Sequence, residues 1–149
     1  MKVGINGMGR MGRLALRAAF GGVHRPDDDP RRGNRLDIVH VNEIKGGAAV
    51  TAHLLEFDSM HGRWHAPFEV DADKGIAISG KYLGFSAAAS PGEVEWGELG
   101  CDIVLECTGK FLKPEQLQAY FDRGVKKVIV AAPVKDERAL NIVVGVNDH

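Results

Sequence analysis

The stretch Lys2-Val-Gly-Ile-Asn-Gly-Met-Gly-Arg-Met-Gly-Arg13 decides the fold. A short apolar run carrying Val3 and Ile5 passes into a glycine-rich turn and then into an amphipathic segment. Gly7, Gly9 and Gly12 stand at G-x-G-x-x-G spacing, which reads as a strand, a tight turn and the opening of a helix. Gly7 permits the turn, Gly9 lets a pyrophosphate approach the backbone, and Gly12 lets the helix pack closely on the strand. The first N–H groups of such a helix lack partners within it and favour an anion. The helix is expected over residues 11–20, with Met11, Leu14, Ala15, Ala18 and Ala19 on one face. A purely structural glycine turn is the competing reading.

Outward from this stretch, strand-like and helical runs alternate. Asp37–Asn42 is the second strand. Ile103–Glu106 and residues 127–131 are short, apolar and rich in β-branched side chains, and residues 141–144 close the series. Runs of this kind suit strands buried on both faces of a parallel sheet. Helices are expected over residues 48–57 and 114–123, with Pro114 in a first turn and Gly124 as a stop. The alternation predicts a doubly wound α/β sheet with right-handed crossovers. Two regions break the rhythm. Residues 21–35, with D-D-D-P-R-R-G-N-R, read as a charged surface loop, ahead of a phosphate-binding role for its arginines. Residues 66–85, punctuated by D-A-D-K-G and S-G-K-Y, read as hairpins. They predict a small antiparallel appendage between the third and fourth major sheet elements.

Composition narrows the function. A length of 149 residues suits one domain with a sizeable core. A net charge of −1 gives no electrostatic case for nucleic acid. No apolar run approaches the roughly 18 residues of a membrane span. The chain opens directly on a strand, so no signal peptide is expected. Cys101 and Cys107 make neither a disulfide framework nor a zinc pattern, and the six histidines carry no metal spacing. A reducing, cytoplasmic setting follows as the default. The run Asp27–Asp29 reads as solvated rather than as a cation site.

The second strand ends in Asn42-Glu43, where a dinucleotide fold places an acid for the adenosine ribose hydroxyls. The offset exceeds the usual figure of about 20 residues, and the inserted loop accounts for the excess. Glu43 is therefore the expected ribose ligand, with a surface glutamate as the alternative. Its charge opposes a 2′-phosphate and favours NAD over NADP, although Lys45 stands nearby. Ligands sit outside the carboxyl ends of such strands. That brings in Thr108 as a hydroxyl, Gly109 as a close backbone approach, and Phe111 either against the adenine or as a rim aromatic.

These residues carry a resemblance that runs nearly end to end. G-I-N-G-M-G-R-M-G-R, L-L-E-F-D-S-M-H-G-R-W (54–64), W-G (96–97), E-C-T-G-K-F (106–111), V-I-V-A-A-P (128–133) and G-V-N (145–147) fall in a single order. In that order they resemble the N-terminal, NAD-binding domain of phosphorylating glyceraldehyde-3-phosphate dehydrogenases. The resemblance implies a Rossmann-type, doubly wound, mostly parallel sheet occupying residues 1–149, with the catalytic domain outside this chain. It implies that Arg10 and Met11 lie along the pyrophosphate through their backbone, and that Asn6 and Asn42 line the adenosine side. Glu43 matches the ribose-binding acid, usually Asp, and Ala131 stands where a Ser often lies near the nicotinamide. Ala89 stands where a basic residue often approaches the adenine. His61 matches a structural and interface position. N-E-I-K-G, L-L-E-F-D-S-M-H-G-R-W and F-L-K-P-E-Q-L-Q-A-Y-F-D-R-G most resemble the branch associated with arsenic-resistance operons, and Asn-Glu also occurs in erythrose-4-phosphate dehydrogenases.

The family reaction implied by this resemblance begins with a thiolate attacking an aldehyde. Hydride then passes to the nicotinamide, and phosphate or arsenate cleaves the resulting thioester. The catalytic cysteine and histidine of the family have no counterpart among these residues. Cys107 ends an apolar strand and reads as an inert small hydrophobe. Dinucleotide binding without turnover is the expectation for this chain alone, and a phosphorylated aldehyde and a homotetramer are expected of the full-length enzyme. A stand-alone nucleotide-binding module and a fragment that binds nothing well are the alternatives.

Overall fold

In the computed structural model, residues 1–21, 36–71 and 75–148 are described. The loop expected over residues 21–35 lies almost wholly outside them, as does the centre of the D-A-D-K-G turn.

Val3, Gly4, Ile5 and Asn6 are all buried, and this unbroken burial puts strand β1 (Lys2–Asn6) at the heart of the sheet. The chain then forms α1 (Arg10–Ala19), β2 (Asp37–Asn42), α2 (Gly47–Glu56), β3 (Phe57–Asp58), β4 (Gly62–Arg63), β5 (Phe68–Asp71), β6 (Gly75–Ile78), β7 (Lys81–Ser86), β8 (Ile103–Glu106), α3 (Pro114–Asp122) and β9 (Lys127–Val130). Seven strands make one sheet in the order β5-β6-β7-β2-β1-β8-β9. The five from β7 to β9 run parallel. β6 and β5 add antiparallel at the β7 edge, and β3 and β4 form a separate two-stranded antiparallel sheet.

Helices cover both faces. One core joins Val3, Ile5 and Ile38 of the sheet to Leu16 and Ala19 of α1 and Ala52 and Leu55 of α2. The other packs Val104 against Trp96, Leu117 and Tyr120 on the α3 side. The mostly parallel, doubly wound sheet is the one that the alternating runs predict. Pro114 stands in the first turn of α3, and Gly124, at φ +83°, follows its last turn.

Three local expectations need correction. The buried face of α1 runs through Gly12, Leu16, Arg17 and Ala19, and Met11 is 52% exposed. The cause is Gly12: an added Cβ would sit 2.0 Å from the Gly7 carbonyl oxygen, so this contact fixes the helix rotation. The hairpins within residues 66–85 form the expected antiparallel appendage at the sheet edge, but at another place in the order of elements. β7 joins β2 in parallel, aligning Gly84 with His40, and carries β6 and β5 into the main sheet. They also fall between β2 and β8 in the chain. Residues 141–144 form no strand. The Asn141 side chain binds Val134 through both N–H (3.1 Å) and C=O (2.9 Å), and Val143 N–H donates to Asn147 Oδ1 at 2.6 Å. These side-chain bonds replace a ladder, and Ile142, Val143 and Val144 remain exposed.

Candidate coenzyme cleft

The chain leaves β1 toward β2 on one side and later returns to β8 on the other. Such a reversal opens a crevice at the carboxyl ends of the strands. Backbone bonds tie the strand ends there: Gly7 N–H to Asn42 O (2.8 Å), Cys107 N–H to Asn6 O (2.7 Å) and Glu43 N–H to Ser86 O (2.9 Å). The cleft between them measures about 610 Å³, counting space open to solvent. Asn6, Gly7, Gly9, Asn42, Glu43, Thr108 and Phe111 line it, as the sequence leads one to expect. Ile44, Lys45, Ala88, Ala89, Cys107 and Lys110 also line it. Arg10, Met11, Gly12, Gly109 and Ala131 do not. Arg10, Met11 and Gly12 form the first turn of α1, and Ala131 follows β9, its N–H bound to Glu106 O at 2.9 Å.

The three glycines of the turn differ in kind. Gly7 has φ +92°, and a Cβ there would meet Thr108 N at 2.7 Å. Gly12 abuts Gly7, as described. Gly9, the residue before α1, has nothing within 4 Å of a Cβ position. That open space lies before the first helical N–H groups, and no side chain caps them. The arrangement leaves room and donors for an anion.

Glu43 reaches across to the same turn. Its Oε2 accepts Met8 N–H at 2.8 Å and its Oε1 accepts Lys45 N–H at 3.0 Å. These bonds use two of a carboxylate's roughly four acceptor positions and leave the others for hydroxyl donors.

Beneath the cleft runs a directional hydrogen-bond chain. The Ser86 hydroxyl donates to Asn42 Oδ1 at 2.7 Å, so His40 Nε2, 2.9 Å from Ser86 Oγ, is the donor of that pair. Asn42 Nδ2 donates to Asn6 Oδ1 (2.7 Å) and to Ala88 O (3.0 Å), and Ala88 N–H donates to Asn42 Oδ1 (2.8 Å). Asn6 Nδ2 donates to Glu106 Oε2 (3.0 Å) and to the Tyr120 hydroxyl (2.5 Å). Glu106, 1% exposed, also receives the Tyr120 hydroxyl, the Thr108 hydroxyl and Thr108 N–H, the last at 2.7 Å. Burial and the Glu106 charge push the Tyr120 hydroxyl's pKa up, and burial pushes His40 down to about 4. The Thr108 hydroxyl also accepts Lys110 N–H at 3.1 Å, so it braces its own turn. Glu106, Ser86 and Tyr120 were not among the residues singled out by sequence. The signal was a carboxylate ending the apolar run I-V-L-E.

Burial raises both thiols, Cys101 and Cys107, to about 11, with Asp102 and Glu106 adding to the respective effects. Among the described residues, no helix is long and apolar enough to cross a membrane, and no group of three or more His, Cys, Asp or Glu is placed to hold a metal.

Comparison with known proteins gives the family. Residues 1–114 match the family model described as "Glyceraldehyde 3-phosphate dehydrogenase, NAD binding domain". The chain is 56% identical over 149 residues to "Glyceraldehyde-3-phosphate dehydrogenase 3" of Nostoc sp., covering 100% of this chain and 40% of the relative. It is 43% identical over 147 residues to the glyceraldehyde-3-phosphate dehydrogenase of Heyndrickxia coagulans, covering 99% and 40%. It is 41% identical over 148 residues to that of Pseudomonas aeruginosa, covering 99% and 41%. The chain thus spans about two-fifths of the length of these relatives. With the sheet reversal, the glycine turn and the matched residues in agreement, this chain belongs to the family of glyceraldehyde-3-phosphate dehydrogenase NAD-binding domains.

Proposed function

We propose that the cleft holds NAD with its pyrophosphate over Gly9. The observation that carries this reading is the empty space at the Gly9 Cβ position, in front of the uncapped first turn of α1. The backbone amides of Arg10 and Met11 meet the phosphates, and Gly7 and Gly12 set the turn that presents them. Glu43 takes the adenosine ribose hydroxyls with its two remaining acceptor positions. Phe111 and the Ala88–Ala89 wall flank the adenine, and Asn6 and Asn42 form the floor. Thr108 and Gly109 make the opposite wall, where Gly109, at φ +70°, has open space at its Cβ position. Ala131 lies outside the cleft, and its place beside the nicotinamide rests on the resemblance alone. When bound, the nicotinamide supplies a hydride acceptor, while this chain's residues bind and orient it.

The Glu43 carboxylate opposes a 2′-phosphate, so NAD binds more tightly than NADP. Lys45 and Lys110 on the same cleft moderate that preference. Calorimetric titration with both dinucleotides tests it: Glu43→Ala narrows the affinity ratio by about tenfold. An unchanged ratio rejects the ribose role.

In the full-length enzyme the reaction is oxidation of a phosphorylated aldehyde, with acyl transfer to phosphate or arsenate, carried out in a homotetramer. These 149 residues constitute the coenzyme domain and turn over nothing by themselves. The raised pKa values of both thiols support that, because the thiolate is the nucleophile. The motifs N-E-I-K-G and F-L-K-P-E-Q-L-Q-A-Y-F-D-R-G favour the arsenic-resistance branch. Arsenate-stimulated NADH formation by the full-length enzyme, above that with phosphate, is the corresponding test.

A further inference from the structure

Glu106 is a carboxyl group buried to 1% exposure that receives four donor contacts, and no cation pairs with it among the described residues. Taking a carboxylate out of water costs several kcal/mol unless donors surround it. Its four donor contacts have a pattern that burial alone does not require. Two come from Thr108, on one wall of the cleft, and one from Asn6, on its floor. Asn6 passes the polarity to Asn42, which grips both the N–H and the C=O of Ala88 on the opposite wall. A carboxylate that only accepts forces Asn6 to turn its NH2 toward it and its oxygen toward Asn42. That in turn fixes the Asn42 amide. The fourth contact, from Tyr120 of α3, comes from outside the cleft.

We propose that Glu106 is a positioning residue for the coenzyme, setting the distance and register between the Thr108 wall and the Ala88 wall through Asn6 and Asn42. This rests on the cleft being the dinucleotide site. The side chains of Asn6, Asn42 and Thr108 have their hydrogens committed within the protein. Recognition therefore falls mainly to backbone groups, and a buried charge holds those groups in place.

Glu106→Gln keeps the size and replaces one acceptor oxygen by a donor NH2. That NH2 faces either the Thr108 donors or those of Asn6 and Tyr120. Tyr120→Phe removes a donor to the same carboxylate and the acceptor of one Asn6 N–H, but leaves the bonds from Thr108 and Asn6 to Glu106 and the grip of Asn42 on Ala88. Two readouts apply to each variant: backbone amide spectra of Thr108 and Ala88, and calorimetric NAD affinity. The expected result for Glu106→Gln is displacement of both amides and an affinity loss of about tenfold. Tyr120→Phe is expected to lose comparable stability, to leave the Ala88 amide in place, and to bind NAD within about twofold of the parent. An unmoved Ala88 amide with parental affinity in Glu106→Gln overturns the proposal. So does an affinity loss that merely tracks stability in both variants.

Should Glu106→Gln fail to fold, the double variant Asn6→Asp/Glu106→Gln moves the charge and rematches donors with acceptors. It is expected to restore the fold and both amide positions, and its failure to do so overturns the proposal. A parent chain that binds no NAD while its amides remain coupled overturns the coenzyme reading itself, and with it the positioning role.

Discussion

At the scale of single residues, chemistry and sterics divide the work. Gly7 and Gly12 are required by the backbone they touch, whereas nothing within 4 Å of a Cβ at Gly9 requires a glycine there. His40 shows a second kind of constraint. Its ring is buried beside Trp96, with ring centroids 5.6 Å apart, and Nδ1 has no hydrogen-bond partner. Burial holds its pKa at about 4, below the ordinary 6.5. In the folded state the ring stays neutral down to that value, while the unfolded chain takes up a proton as soon as pH falls through 6.5. Acid therefore favours unfolding across that interval. The stability that neutral His40 contributes is complete above pH 6.5. It declines by up to about 3 kcal/mol toward pH 4 and then levels off. The carboxylates Asp37, Asp58, Asp102 and Asp136, all held below the ordinary 3.8, act only at lower pH. Urea unfolding at pH 7 and pH 4.5 measures the decline, and His40→Gln is expected to flatten it. An equal decline in that variant assigns the effect elsewhere.

At the scale of elements, strands and helices are readable from apolar runs and turn residues, and their rotation and partnering are not. β1, β2 and β8 follow from apolar, β-branched runs bounded by turn residues. The face of α1 was misread because period alone places Met11 and Leu14 beside Ala18. The close approach of Gly12 to the Gly7 carbonyl turns the helix toward Leu16 instead. Leu16→Ala is accordingly expected to cost about 3 kcal/mol in denaturant unfolding, and Met11→Ala less than about 0.5 kcal/mol. Equal costs would restore the face read from period. Residues 141–144 carry strong strand propensity, yet propensity does not supply a neighbour. Asn141 and Asn147 bind the backbone locally and outcompete the ladder. β7 was hidden in a hairpin region because its partner β2 lies far away in sequence.

At the scale of the whole molecule, the strand order β7-β2-β1-β8-β9 places the reversal at β1, and the cleft opens there because the glycine turn, Glu43 and Thr108 are successive strand ends. Motif spacing made that part of the candidate site legible. The buried brace beneath it was illegible, since Glu106, Asn6, Asn42, Ser86 and Tyr120 are brought together only by the folded sheet and α3. The central claim is that the diphosphate of NAD seats on the backbone at Gly9. Calorimetric titration of NAD into the parent and into Gly9→Val tests it most directly. The Val Cβ has open space at φ −67°, so the variant is expected to fold with a stability loss of about 1 kcal/mol. The expected result is measurable binding by the parent and none by the folded variant. Parental affinity in Gly9→Val would contradict the claim.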